Sequence, residues 1–221
     1  MGGHGQAQGK AVFASQGPKN LIAMVFGLVD YPHEKVAYDG QKVTVGQIRP
    51  GLRTLLGRFL ATNGVAFREG LAGGTLSAAW PLLDLKSRSA KLQYDGLKKV
   101  DKRELHVLRY SAPKSSDLKV TLYFDPQTFQ HVRTEYHQTI ESPIAANKPG
   151  ESAGQEETRI DLVEEFSDFK TENGLVLPHS YKLKLTINGR GASVLTDWNA
   201  TLTQFEFGQA INEKEFNLEA N

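Results

Sequence analysis

The stretch Leu118–Ile140, LKVTLYFDPQTFQHVRTEYHQTI, limits the possible folds more than any other part of the chain. Apolar side chains recur at every second position on both sides of Asp125-Pro126-Gln127-Thr128. Successive side chains of a pleated strand project to opposite faces, so this alternation marks strands with one apolar and one polar side. It predicts a β-hairpin. Val120, Leu122 and Phe124 share one face of its first strand, and Val132, Thr134, Tyr136 and Ile140 form the less charged face of its second. Pairing Phe124 with Phe129 would carry the aliphatic face into His131 and Arg133. A one-residue slip exchanges the faces and sets Leu122 opposite Val132 and Phe124 opposite Gln130. That register predicts an odd-numbered loop, with Pro126 at the first corner of a type I turn and the Asp125 carboxylate bonded to the turn amides.

The same alternation recurs along most of the chain. Lys10–Ser15 and Asn20–Gly27 flank a QGPK turn, and HEKVAYDGQKVTVGQ holds a second hairpin around Asp39-Gly40. Later strands are expected from Lys91 to Tyr94 or beyond, Arg103–Tyr110, Thr158–Lys170, Leu177–Ile187 and Ser193–Phe207. The period changes once. In RPGLRTLLGRFLATNG, Leu52, Leu55, Leu56, Phe59 and Leu60 fall at helical spacing, with Pro50 suited to a first turn and Asn63-Gly64 to a stop. A shorter helix is expected from Val65 to Glu69, and AGGT (72–75) reads as a bend between helical pieces. The helical block thus spans about residues 49–82. SPIAANKPGESAGQEE (142–157) has the composition of a flexible hairpin loop, and the opening MGGHGQAQGK (1–10) that of a disordered leader or tag over residues 1–9.

Composition narrows the function classes. A chain of 221 residues with 39% hydrophobic and 23% charged content suits one β-rich domain, expected here over residues 10–221. The net charge of +1 offers no basic surface for nucleic acid. The charge is unevenly placed, with a basic excess over 86–119 and an acidic excess over 151–172, a pattern of solvated or complementary faces. The absence of cysteine excludes disulfides, thiolate metal sites and thiol nucleophiles. No apolar run approaches the ~20 residues of a membrane-spanning helix.

Signatures of chemistry are missing as well. The sequence holds no G-x-S-x-G, G-x-x-x-x-G-K, H-E-x-x-H or strand-linked G-x-G-x-x-G. His131 and His137 lie about 20 Å apart on an extended strand, too far to share an ion. The series His131, Arg133, Glu135, His137 is expected to form a polar outer stripe with cross-strand charge pairs. Glu164 and Glu165 point to opposite faces and make no catalytic dyad. No enzyme activity, cofactor or metal is expected. A large apolar β face that a short helical block cannot cover leaves a partly empty, concave surface fit for an apolar ligand.

The order of the elements, more than any one motif, carries a resemblance. YDGLKKVDKRELHVLRY, LYFDPQTFQHVRTEY, EFSDFKTENGLVLPHSYKL and a closing FNL follow one another as in the outer-membrane lipoprotein-sorting, LolA/LolB-like superfamily. The matching positions are Asp95-Gly96, His106–Leu108, Phe124–Thr128, Gly174–Pro178 and Phe216–Leu218, so the likeness covers about residues 85–218. The resemblance implies a mainly β fold, a strongly curved antiparallel sheet or unclosed barrel under a helical lid. It also implies a non-enzymatic periplasmic carrier of a lipid or lipoprotein acyl chain, with envelope proteins as further partners. The ligand-binding residues expected on that scaffold are Leu122, Phe124, Val132, Tyr136, Tyr181, Leu183 and Leu185 from the sheet and Leu55, Leu56 and Phe59 from the lid. The alternative is an interaction or sensor module of the cell envelope on the same fold, with a filled core and a working outer surface.

Overall fold

The computed structural model describes residues 6–86, 88–112, 117–144, 154–189 and 192–219. Part of the expected leader (1–5) and most of the expected loop (145–153) lie outside these residues. Among the described residues, eleven strands form two antiparallel sheets rather than the one sheet expected, each in open sequential order, and neither closes into a barrel. The chain divides into two compact units, one built from the segment ending at Arg88 together with that beginning at Gln204, the other from Ser89–Thr203.

The first unit contains β1 (Lys10–Gln16), β2 (Lys19–Val25), β3 (His33–Tyr38) and β4 (Val43–Val45). Gln16 pairs with Lys19 across Gly17-Pro18, and Tyr38 pairs with Val43 across the expected Asp39-Gly40 turn. There the Asp39 carboxylate accepts from the amides of Gln41 (2.8 Å) and Lys42 (2.7 Å). Each face of this sheet is covered. On one, Leu21, Ala23 and Ala37 pack with Phe216, from a 3-10 turn at Glu213–Phe216, and with Ala14, Ile211 and Leu218. Helix α1 (Leu55–Thr62) packs against β3 and β4, and α2 (Val65–Arg68) against β3. Asn20 on β2 ties into the α2 segment by donating to the Phe67 carbonyl at 3.1 Å.

Helix α1 begins later than its periodicity predicts. Arg49–Leu52 is a tight turn closed by Leu52 N–H donating to the Arg49 carbonyl at 2.8 Å, with Gly51 at φ +75. Pro50 therefore sits in a turn and not in the first turn of the helix. Thr54 is the N-cap, its hydroxyl accepting from Gly57 N–H at 2.8 Å. The Asn63 stop is present: its backbone and side-chain amides both donate to the Phe59 carbonyl. Gly70 ends α2 because nothing else fits: φ is +69, and a Cβ would lie 2.0 Å from the Ala79 carbonyl oxygen.

The second unit is a seven-stranded meander of β5 (Lys91–Val100), β6 (Arg103–Ser111), β7 (Lys119–Phe124), β8 (His131–Ile144), β9 (Gly154–Glu172), β10 (Leu175–Gly189) and β11 (Ala192–Thr201). Two-residue turns with both residues at positive φ join β5 to β6 (Asp101, Lys102) and β9 to β10 (Asn173, Gly174), the twist that suits adjacent antiparallel strands. Strands β8 and β9 run further into the expected flexible loop than composition indicates, pairing as far as Ile144 with Gly154. Asp95-Gly96 forms a bulge inside β5, which runs on beyond Tyr94 to Val100.

The central β7–β8 hairpin corrects the expected register. Asp125 N–H donates to the Gln130 carbonyl and Phe129 N–H to the Asp125 carbonyl, both at 2.9 Å, so the loop is the four residues 126–129. The Asp125 carboxylate does bond to the amides of Gln127 (3.0 Å) and Thr128 (2.9 Å). Phe124 pairs with His131, and a bulge then shifts the ladder so that Tyr123 pairs with Arg133 and Leu122 with Thr134. Leu122 therefore does not oppose Val132. Pairing with Phe124 turns His131 in and sends Val132 to the other face, where it packs with Leu105, Val107 and Tyr123, and the bulge then keeps Arg133 off the inner face.

Phe216 is 0% exposed and fills one face of the first sheet. Phe216→Ala should lower the unfolding free energy by about 3–5 kcal/mol, read from the urea midpoint. An unchanged midpoint would mean that the C-terminal segment contributes nothing to that core.

Candidate functional site

The candidate site is one face of the seven-stranded sheet. Its rows follow from the register. One runs Trp198, Leu183, Glu164, Thr134, Leu122, Leu108 and Tyr94 across all seven strands, and the next contains Thr196, Leu185, Leu162, Tyr136, Val120, Tyr110 and Leu92. A ring ladder continues beside them: Tyr181–Phe166 centroids are 5.5 Å apart, Phe166–His131 4.9 Å and His131–Phe124 5.3 Å. Six of the seven expected sheet residues, Leu122, Phe124, Tyr136, Tyr181, Leu183 and Leu185, share this face. Val132 does not, because His131 takes the inward position opposite Phe124. Leu56 and Phe59 are buried in the first unit, with Leu55 half-buried beside them, so a charge at Leu56 would disrupt that unit's own core.

In the middle of the apolar face lies a carboxylate. Glu164 is 1% exposed, and each of its oxygens accepts from a phenol: Oε2 from Tyr136 at 2.7 Å and Oε1 from Tyr181 at 2.8 Å. The two tyrosines come from the strands flanking β9 and are themselves fully buried. Burial, and then the adjacent Glu164 charge, hold both phenols well above their ordinary pKa, so they remain donors. A buried carboxylate is tolerable only when its desolvation is offset by such bonds. His131, also buried, meets the Thr134 hydroxyl through Nε2 at 2.9 Å, and burial pushes its pKa down to about 3. It is a neutral imidazole at ordinary pH.

Sequence reasoning missed these polar residues for a definite reason. Glu164 occupies the same strand parity as Leu162 and Phe166, which marks it as inward-facing, but it lies within the acidic block 151–172, whose composition is that of solvated or complementary faces. The two do face opposite ways. Glu165 joins the outer stripe, where Arg133 donates to Glu165, Asp101 and Glu135, each at 2.8 Å, and His137 meets Asp161 at 2.6 Å. Tyr123 donates to Glu135 there at 2.6 Å, and its phenol is raised by burial and by that carboxylate. The stripe forms as expected except at His131.

A second buried carboxylate lies in the first unit. Glu34, 5% exposed, accepts from Tyr31 and Thr54 hydroxyls, both at 2.7 Å. Burial raises its pKa against the lowering effect of those bonds. Since Thr54 also caps α1, one hydroxyl links the strand acid to the helix N-terminus, where negative charge is favoured. Among the described residues, no group of three or more His, Asp or Glu side chains is placed to hold a metal ion. No protein-family model, curated protein or solved structure matches the chain.

Two predictions follow from the buried polar groups. Tyr136→Phe and Tyr181→Phe each remove one donor to Glu164 and should cost about 1.5–3 kcal/mol, with the double variant departing from additivity; strictly additive urea midpoints would show that the phenols do not share one acceptor. For His131, the folded pKa lies below the unfolded value of 6.5, so the unfolded chain binds the proton first as pH falls. Its stabilising contribution is complete above pH 6.5 and drains away between 6.5 and about 3. The urea midpoint of His131→Gln should therefore depend less on pH across that window than the parent's; parallel curves would refute the neutral, buried imidazole.

Proposed function

We propose that this protein is a non-enzymatic, LolA/LolB-like carrier of the periplasm that takes the acyl chain of a lipid or lipoprotein against the Leu122–Leu185 face of its seven-stranded sheet. The observation that carries the reading is the make-up of that face: Leu122, Tyr136, Leu162, Phe166, Tyr181, Leu183 and Leu185 lie together on it across four adjacent strands. Hydrocarbon is its natural complement, since each buried methylene contributes about 0.8 kcal/mol without needing a polar partner. The order of elements supports the same reading, with the described strands following one another in two antiparallel sheets and helical pieces between β4 and β5. No described helix is long and apolar enough to cross a membrane.

One observation favours the second reading, an envelope interaction or sensor module with a filled core. Leu122, Tyr136, Tyr181, Leu183 and Leu185 are only 0–5% exposed, so their surfaces are already occupied by neighbouring atoms. A carrier must then load by opening, and its ligand must bind the open state more tightly than the closed one by enough to outweigh the closed packing.

Organic extraction of the purified full chain followed by lipid mass spectrometry separates the two. Acyl lipid recovered in near-stoichiometric amount supports the carrier, and Phe124→Glu, at the half-buried margin of the face, should then abolish its recovery with circular dichroism unchanged. A chain free of lipid, and unable to bind a fluorescent fatty acid when challenged, rejects the carrier in favour of the module.

A further inference from the structure

The face that is buried at its centre comes to the surface at the β5 edge. Its central row ends on Tyr94, 58% exposed, and Leu97, paired with His106, is 52% exposed. Phe129 from the β7–β8 loop is 68% exposed and lies parallel to the His106 ring, with centroids 5.6 Å apart and planes within 7°. Tyr94 O–H and His106 Nδ1 share a hydrogen bond of 2.8 Å, so His106 ties the two aromatics together. Three large apolar side chains thus form one exposed patch around a single imidazole.

Phe129 makes the patch harder to explain by folding alone. Its φ is +56, the left-handed region that favours glycine or asparagine and penalises a bulky side chain. The loop closes through the Asp125 carboxylate and the Asp125–Gln130 backbone bond, neither of which needs an aromatic at position 129. An exposed phenylalanine held in an unfavourable backbone conformation points to a use outside the fold.

The charge beside the patch indicates what it meets. The β5–β6 hairpin, Lys91–Ser111, carries six basic residues and three acidic ones. The carboxylates are largely committed: Asp95 to Arg109 (2.7 Å) and Lys98 (3.4 Å), and Asp101 to Arg133 (2.8 Å), while Glu104 stands opposite Lys99 in the ladder. Lys99 is exposed on the same face as Leu97 and His106, opposite Glu104, and Lys102 is exposed in the β5–β6 turn. Tyrosine, phenylalanine and leucine flanked by lysine form the combination that partitions into the headgroup region of an anionic bilayer, where rings enter the interface and ammonium groups meet phosphates.

We propose that the Tyr94–Leu97–Phe129 patch, with the lysines of the β5–β6 hairpin, docks the protein on an anionic lipid bilayer surface. The inference concerns the outside of the sheet edge and does not require a ligand on the buried face. It is tested by flotation of the full chain with vesicles of equal parts phosphatidylglycerol and phosphatidylcholine, and with vesicles of phosphatidylcholine alone. The parent should float with the mixed vesicles, and the bound fraction should fall as salt is raised. Phe129→Gly should weaken partition about tenfold while its thermal midpoint stays at or above the parent's, because glycine fits the turn. Lys99→Glu should weaken partition by at least about fivefold. Failure of the parent to float, equal binding to phosphatidylcholine alone, or equal partition of Phe129→Gly would each overturn the proposal. Lipid recovered or not recovered by extraction leaves this result untouched, so the two readings fail separately.

Discussion

One extra residue in β8 decides which side chains the seven-stranded sheet turns inward. Without the bulge, the four-residue loop would carry the ladder straight on from Phe124–His131 to Leu122–Arg133, and a guanidinium would enter the apolar face. With it, Thr134 stands opposite Leu122, and Arg133 turns to the carboxylates of Glu165, Asp101 and Glu135 on the other side. His131, turned inward by its pairing with Phe124, meets the Thr134 hydroxyl and the rings of Phe124 and Phe166. Every row beyond β8 inherits this choice, because a strand's side-chain period of two leaves no other way to correct a register.

Among the described residues, each unit buries one glutamate and answers it with two hydroxyls. In the sheet unit the donors are phenols from the strands on either side of Glu164, so three strands are fixed to one another by side chains as well as by the ladder. In the other unit, Tyr31 and Thr54 hold Glu34, and the threonine joins β3 to the start of α1. A leucine in either place would stabilise the core at less electrostatic cost. What the carboxylate adds is geometric: a misplaced strand or helix leaves a buried charge without its donors, so alternative packings are penalised heavily.

The sheet face is thus graded. Its centre is closed and apolar around the buried Glu164, Thr134 and His131, whereas its β5 margin exposes Tyr94 and Leu97 beside Phe129. Both the proposed holding of an apolar ligand and the proposed docking on a lipid surface draw on this one face, at different places along its rows.

Much of this was legible in the residues. Alternation located the strands, Asp39-Gly40 and Asp125-Pro126 located turns that are present, and Asn63 located the end of α1. The parity that placed Leu122, Tyr136, Tyr181, Leu183 and Leu185 together was local information, because one face of a strand is fixed by its own sequence. The side of Val132 and His131 was not, since it is set by the loop that pairs Phe124 with His131 across two strands. Nor was the start of α1, where Pro50 suits a helix or a turn equally and only the Thr54 cap and its bond to Glu34 decide. The sequence by itself determined a mainly β chain with one helical interruption and the inward parity of most strands. Only the tertiary structure decided the division into two sheets, the partners of Glu164 and Glu34, and the exposure of Phe129, because each depends on residues far apart in the chain meeting at hydrogen-bonding or van der Waals distance.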